Sequence, residues 1–257
     1  MATGNPALNE SYFETESRVA TGAGVMTVQG SVVKTAVLLA IMLAVAGFAW
    51  SQILPQGTSG KAMDGLRSSA IPWLAVGGIG GLVLGLIMCF APKAAPVVAP
   101  LYAAFEGAFV GGLSAIYAVA AYPGIVMQAA MLTVGVLVMM LALYGTGIIR
   151  MSDKLRTGII AATGAICLVY LGSMLMQMFG VPVPYIHSNG PIGIGFSIVV
   201  IIIAAFNLVL DFDTIEQGTK YRAPKYMEWY GAYGLLVTLV WLYIEILRLL
   251  SKLNSRD

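Results

Sequence analysis

Seven long apolar stretches, each close to twenty residues, leave this chain few ways to fold. A membrane-spanning α-helix needs about 20 mostly apolar residues. Only 10% of the residues are charged, whereas a soluble domain carries about 25% and needs them to cover its surface. We therefore predict an all-α membrane protein, a seven-transmembrane helix bundle. The predicted spans are Thr35–Leu54, Ile71–Phe90, Val98–Ala120, Ile125–Ile148, Thr157–Met178, Ile192–Phe212 and Trp229–Leu250.

The predicted helices divide the chain into an N-terminal tail, residues 1–33, and a transmembrane domain, residues 34–257. Short cytoplasmic loops carry an excess of Lys and Arg, and more of the basic residues lie on the same side of the membrane as the tail. That side holds Arg18, Lys34, Lys93, Arg150, Lys154, Arg156, Lys220, Arg222 and Lys225, against Lys61, Arg67, Arg248, Lys252 and Arg256 on the other. We expect a cytoplasmic N-terminus. The basic C-terminus leaves open an alternative with six spans.

The composition and the motifs argue against several functional classes. A net charge of +2 is too small to indicate nucleic acid binding. Cys89 and Cys167 lie in apolar stretches and lack the spacing of a metal site or a redox pair. Neither a P-loop nor an HExxH pattern is present, so we do not expect an enzyme. His187 lies in a predicted outer loop, where we expect an ordinary loop residue, with a sensor of external pH as the alternative.

Glycines at four-residue spacing predict close packing between helices. Gly77, Gly81 and Gly85 repeat in the second stretch, and Gly107 and Gly111 repeat in the third. Small residues at this spacing let helix backbones approach one another in lipid.

Four acidic residues lie within or beside the predicted spans, where a charged side chain is costly. In the predicted orientation all four occupy the cytoplasmic third of the membrane, and no Lys or Arg lies inside a span at this depth to neutralise them. These four acids are Glu106 in the third span, Asp211 at the end of the sixth, Asp213 just beyond it and Glu228 at the start of the seventh. A fifth acid, Glu245, belongs to the other side of the membrane, where Arg248 is its expected partner.

Such a cluster must hold protons, bind cations or hydrogen-bond to its neighbours. Ca²⁺ and Mg²⁺ prefer oxygen ligands, and protons would compete with them for the carboxylates. We take all four acids as candidate ion- or proton-binding residues, and Asp211 and Glu106 as candidate Ca²⁺ ligands. Simpler interpretations remain open: Asp213 as a solvated loop residue, Glu228 as an interfacial residue, and Asp211 or Glu106 as a neutral, hydrogen-bonded structural group.

Several stretches of the sequence resemble one family. They are LDFDTIEQ at the end of the sixth span, Glu106-Gly107 followed by Gly111-Gly112 in the third, NPALNESYF in the tail, MTVQGSVVKTAVLL (Met26–Leu39) and PKYMEWYGAYGLLVTLVWLYIEILRLL (Pro224–Leu250). The chain is similar to the Bax inhibitor-1, or transmembrane Bax inhibitor motif, family. The resemblance is to its bacterial branch with an N-terminal tail.

The resemblance implies a bundle in which six helices surround the seventh. It also implies a pH-sensitive calcium leak gated by an aspartate pair from the sixth and seventh helices. The sixth-helix aspartate corresponds to Asp211, with Asp213 as the alternative register. The place of the seventh-helix aspartate falls near Leu236–Val237, which is apolar here, so Glu228 or Glu106 is a candidate partner of Asp211.

Two functions therefore remain as hypotheses. The first is a pH-sensitive calcium leak channel in a bacterial plasma membrane, with a carboxylate gate on the cytoplasmic side and Ca²⁺ or protons as its partners. It needs no cofactor beyond Ca²⁺ itself. The second is a non-conducting regulator that binds other membrane proteins, such as a membrane protease. A secondary transporter is disfavoured, because such proteins usually show repeat symmetry and broken helices, and neither feature is clear in this sequence.

Overall fold

Seven helices make up the computed structural model, which describes residues 24–53, 62–122, 124–180 and 190–254, with the backbone alone for 62–67. Residues 1–23 of the predicted tail and His187 lie outside these ranges. All seven helices are long and apolar enough to cross a membrane. They are α1 (Val28–Ile53), α2 (Ala62–Phe90), α3 (Ala95–Ala120, preceded by a 3₁₀ turn at Pro92–Ala94), α4 (Ile125–Gly145), α5 (Asp153–Met178), α6 (Pro191–Lys220) and α7 (Met227–Asn254). The predicted all-α membrane fold is confirmed.

Helix α7 is the centre of the bundle. It packs against α1, α3, α4 and α6, and 56% of its membrane-spanning stretch is buried inside the protein. For α2 and α5 the buried share is 17%, so these two helices lie at the periphery. Because successive spans alternate in direction, α1, α3, α5 and α7 begin at the same end of the bundle, here called the amino end.

Helix α6 is longer than its apolar stretch predicts. It continues for eight residues beyond Phe212, to Lys220. Thr214 and Thr219 return their hydroxyls to backbone carbonyls one turn earlier, and Glu216 pairs with Lys220 at 2.6 Å, a favourable i,i+4 contact. Asp211, near the end of the predicted span, is therefore inside the helix, about 14 Å from its end at 1.5 Å per residue.

Glycines bring three helices into close contact, as their spacing predicts. A Cβ added at Gly111 of α3 would lie 2.5 Å from the carbonyl oxygen of Ala46 on α1. One added at Gly77 of α2 would lie 2.5 Å from the backbone nitrogen of Phe109 on α3. These distances are too short for a real methyl group, so glycine at these positions is what allows the backbones to meet.

Candidate ion-binding carboxylates

The four predicted acids lie at increasing depths from the amino end of the bundle. Glu228 is in the first turn of α7, and Asp213 lies seven residues, or about 10 Å, before the end of α6. Asp211 lies about 14 Å and Glu106 about 16 Å inside the ends of their helices at that side. The structure thus places all four in the same half of the bundle, but on different helices and with different partners.

Glu228 is completely buried and fully paired. Its carboxylate accepts hydrogen bonds from the backbone N–H and the hydroxyl of Thr27, both at 3.0 Å. It also forms an ion pair with Lys34 of α1, while Lys225 lies 3.7 Å away. Gly30 faces the carboxylate so closely that a Cβ there would collide with it. The start of α7 is therefore joined to the start of α1 by a buried charge pair.

The residues before α1 extend this connection to the turn between α6 and α7. The backbone N–H of Met26 donates to the carbonyl of Ala223 at 2.8 Å, and the Met26 side chain is buried. Arg222 in the same turn has a positive φ of 55°, which reverses the chain between the two helices. These residues hold Thr27 in position to donate to Glu228.

Asp213 forms the second ion pair at the amino end. Arg156 of α5 donates to its Oδ2 at 2.5 Å, with both side chains largely buried. The hydroxyl of Tyr144, on α4, lies 3.4 Å from its Oδ1 and donates a closer hydrogen bond to Glu216. Three helices, α4, α5 and α6, therefore meet at this carboxylate.

These pairings correct the expectation that the acids lack basic partners. Lys34 and Arg156 lie near the starts of α1 and α5, at the same end of the bundle as the acids. Long basic side chains can extend their charged ends some distance from the backbone, so position relative to the apolar stretch does not decide whether they reach a buried carboxylate. The predicted topology already put these two basic residues on the same side of the membrane as the acids, and this is the sequence signal that could have indicated the pairs.

Asp211 joins α6 to α7 deeper in the bundle. It is only 1% exposed, and the hydroxyl of Thr238 donates to its Oδ2 at 2.5 Å. Thr238 directly follows Leu236–Val237, the place where the resemblance implies a second aspartate. A neutral hydroxyl from α7 therefore binds Asp211 there, and the sequence analysis did not single it out.

Glu106 faces a cavity between α2 and α3. The cavity has a volume of about 310 Å³ and is lined by Gly78, Gly81, Leu82, Gly85, Tyr102, Glu106, Phe109 and Tyr233. The Tyr102 hydroxyl, one turn earlier on α3, interacts with the Glu106 carboxyl. Tyr233 of α7 closes the inner side of the cavity.

The described residues contain no group of three or more His, Cys, Asp or Glu side chains that could hold a metal ion. The four acids therefore do not form one shared metal site of that kind.

At the opposite end of the bundle, the predicted pair of Glu245 and Arg248 is confirmed at 2.8 Å, and Tyr170 donates to the same carboxylate oxygen.

Comparison with known protein families places the chain in one of them. A family model described as Bax inhibitor 1 like matches residues 5–255, nearly the whole chain. No curated protein and no solved structure matches.

Proposed function

Since that match shows that the chain belongs to the Bax inhibitor 1 like family, we propose that it is a pH-sensitive calcium leak channel with a carboxylate gate at the amino end of the bundle. We propose further that it resides in a bacterial plasma membrane with this end in the cytoplasm. The observation that carries the proposal is Asp211, a carboxyl group buried at the contact between α6 and the central helix α7.

The ion pairs at the amino end would form the closed gate. Lys34 and Arg156 occupy the carboxylates of Glu228 and Asp213, so a cation has to compete with them to bind these oxygens. Protons would compete for the same oxygens, which makes the leak depend on pH. With Thr238 in place of a second acid, Asp211 offers fewer charged oxygens to Ca²⁺, which prefers six to eight oxygen ligands. We therefore expect weak binding and slow flux.

Calcium flux into vesicles tests the proposal. The purified protein is reconstituted into vesicles that contain a calcium dye, and flux is measured over a range of pH. We expect flux above that of empty vesicles, a dependence on pH, and a changed flux in Asp211→Asn. Asp153→Asn is the matched control, because Asp153 is an exposed acid at the same end. Flux equal to that of empty vesicles, or unchanged in Asp211→Asn, would exclude the channel.

A non-conducting regulator that binds another membrane protein is the second candidate. Residues 24–27 are held against the α6–α7 turn beside Glu228, so a partner that binds the tail would act next to the acids. The peripheral helices α2 and α5 also offer wide apolar surfaces. Deletion of residues 1–23 should remove the partner from a pull-down, and an unchanged set of captured proteins would contradict a tail-based mechanism.

A further inference from the structure

The cavity beside Glu106 opens on the outside of the bundle. Leu82 at its rim is 65% exposed on the peripheral helix α2. Glu106 lies eleven residues from the start and fourteen from the end of α3, which places it about 16 Å and about 21 Å from the two ends and near the middle of the membrane. A molecule dissolved in the bilayer could therefore reach the carboxyl group from the side, between α2 and α3.

The cavity combines one acid with aromatic rings and leaves out basic groups. Tyr102 and Tyr233 pack edge to face, with ring centroids 4.7 Å apart, and Phe109 adds a third ring. Among the described residues, no Lys or Arg lines this cavity. Asp213, Glu228 and Glu245, by contrast, each pair with a Lys or Arg.

Helix α2 is shaped to leave room at this carboxyl group. A Cβ at Gly81 would lie 2.9 Å from Oε2 of Glu106, and one at Gly85 would lie 3.3 Å from the Tyr233 hydroxyl. Alanine at either position would therefore crowd a polar group that faces the cavity. Glycine at both keeps the carboxyl and the hydroxyl accessible from the cavity.

The donor set favours a singly charged organic cation over a metal ion. Ca²⁺ takes six to eight oxygen ligands, whereas this cavity offers one carboxylate and two phenol oxygens. An ammonium group balances a single carboxylate, donates hydrogen bonds to it and to the phenol oxygens, and is attracted to aromatic ring faces. A volume of about 310 Å³ also leaves room for an apolar substituent.

We propose that the cavity formed by Glu106, Tyr102, Tyr233 and the glycine face of α2 binds an organic ammonium ion with an apolar body, which enters from the membrane between α2 and α3. The depth of Glu106 favours an amine dissolved in the bilayer over a lipid headgroup, because headgroups lie outside a hydrocarbon core about 30 Å thick. This binding does not depend on calcium conduction.

Binding of radiolabelled octylamine to the full chain in phosphatidylcholine nanodiscs tests the proposal, with octanol as the uncharged counterpart. We expect saturable binding of octylamine and none of octanol. Glu106→Gln should weaken binding at least tenfold, and Gly81→Ala should weaken it because the added methyl group crowds the carboxylate. Tyr233→Phe, which keeps the ring and removes the hydroxyl, should cause a smaller loss.

Two controls separate binding from folding. Gly135→Ala adds a methyl group where nothing lies within 4 Å, and Asp153→Asn removes an exposed acid, so both should bind like the wild type. A thermal unfolding curve for each variant shows whether it is folded.

The site would be overturned if the wild type shows no saturable binding. It would also be overturned if folded Glu106→Gln and Gly81→Ala bind octylamine as tightly as the wild type does. Competition by phosphatidylethanolamine would overturn the assignment to a membrane-dissolved amine. Calcium flux is measured without amines, so it fails or succeeds independently.

Discussion

Gly30 makes room for a buried charge, and its replacement should be costly. A methyl group in Gly30→Ala would collide with the Glu228 carboxylate and disturb its contacts with Thr27 and Lys34. We expect a loss of about 1–3 kcal/mol, typical of overpacking, measured as a lower thermal unfolding temperature in detergent. Gly47→Ala in the same helix adds a methyl group to open space and should be neutral or slightly stabilising. Equal behaviour of the two variants would contradict this account.

The Arg156–Asp213 pair should show strong coupling between its members. Removing one partner of a buried ion pair costs about 3–5 kcal/mol, because the other charge is left uncompensated. Arg156→Gln and Asp213→Asn should therefore each destabilise the protein, and the double variant should be less destabilised than the sum of the two. Denaturant unfolding of all three measures the coupling. Lys220→Gln at the exposed Glu216–Lys220 pair should have little effect on stability, because solvent screens an exposed pair; a similar loss of stability at both pairs would refute the difference.

The hydroxyl of Thr238 should stabilise the contact between α6 and α7. Thr238→Val keeps the shape of the side chain but leaves the buried Oδ2 of Asp211 without this donor, which costs about 1–3 kcal/mol. Thr238→Ser retains the hydroxyl and is expected to lose less stability. Thermal unfolding distinguishes the two, and a valine variant as stable as the serine variant would show that the hydrogen bond contributes little.

At the scale of the helix, the sequence predicts where each span lies better than where each helix ends. Apolar length identifies the spans because lipid exposure demands it. It does not register polar residues that continue a helix beyond the hydrocarbon core. Helix α1 therefore begins at Val28, before the predicted Thr35, and α6 ends at Lys220, after the predicted Phe212. Both extensions bring charged groups into the helical part of the structure.

The contact between α1 and α3 depends on Gly111. In Gly111→Ala the added methyl group meets backbone of α1, which cannot move aside as a flexible side chain can. We expect the two helices to separate slightly, with a loss of about 1–3 kcal/mol in stability. Gly135→Ala on α4, where the space is open, is the matched control for thermal unfolding. A Gly111→Ala protein as stable as this control would show that the close approach is dispensable.

At the scale of the whole molecule, the acids were predictable and their partners were not. Glu106 and Asp211 are conspicuous because a carboxyl group is rare in an apolar stretch. The partners Lys34, Arg156 and Thr238 lie far away in sequence, on other helices. Their pairing depends on how the helices are arranged around α7, which spacing along the chain does not specify.

The opposite end of the bundle removes an objection to seven spans. The basic residues near the C-terminus suggested that the last stretch does not cross. Arg248 is paired with Glu245, and Lys252 is buried, donating to the carbonyl of Gly193 and the hydroxyl of Ser197. These two charges are taken up by the bundle, so they bear less on orientation than basic residues in an exposed loop.

Cysteine labelling in intact cells should establish the orientation. In a variant with Cys89 and Cys167 replaced by Ala, a single cysteine is introduced in an exposed loop at either end. Gly124→Cys, at the opposite end, should react with a membrane-impermeant maleimide, and Arg150→Cys, at the amino end, should react only after the cells are opened, because basic loops favour the cytoplasm. The reverse pattern would place the amino end outside.

The buried pair of Lys34 and Glu228 also bears on how the protein is made. The two residues are 194 positions apart, so the first helix enters the membrane long before its counter-charge has been synthesised. Until the last helix arrives, the Lys34 ammonium must stay near the interface or find water. A chain that stops after α6 would leave it there permanently, and such a truncated product should be a substrate for quality-control proteolysis although six of its seven spans are intact.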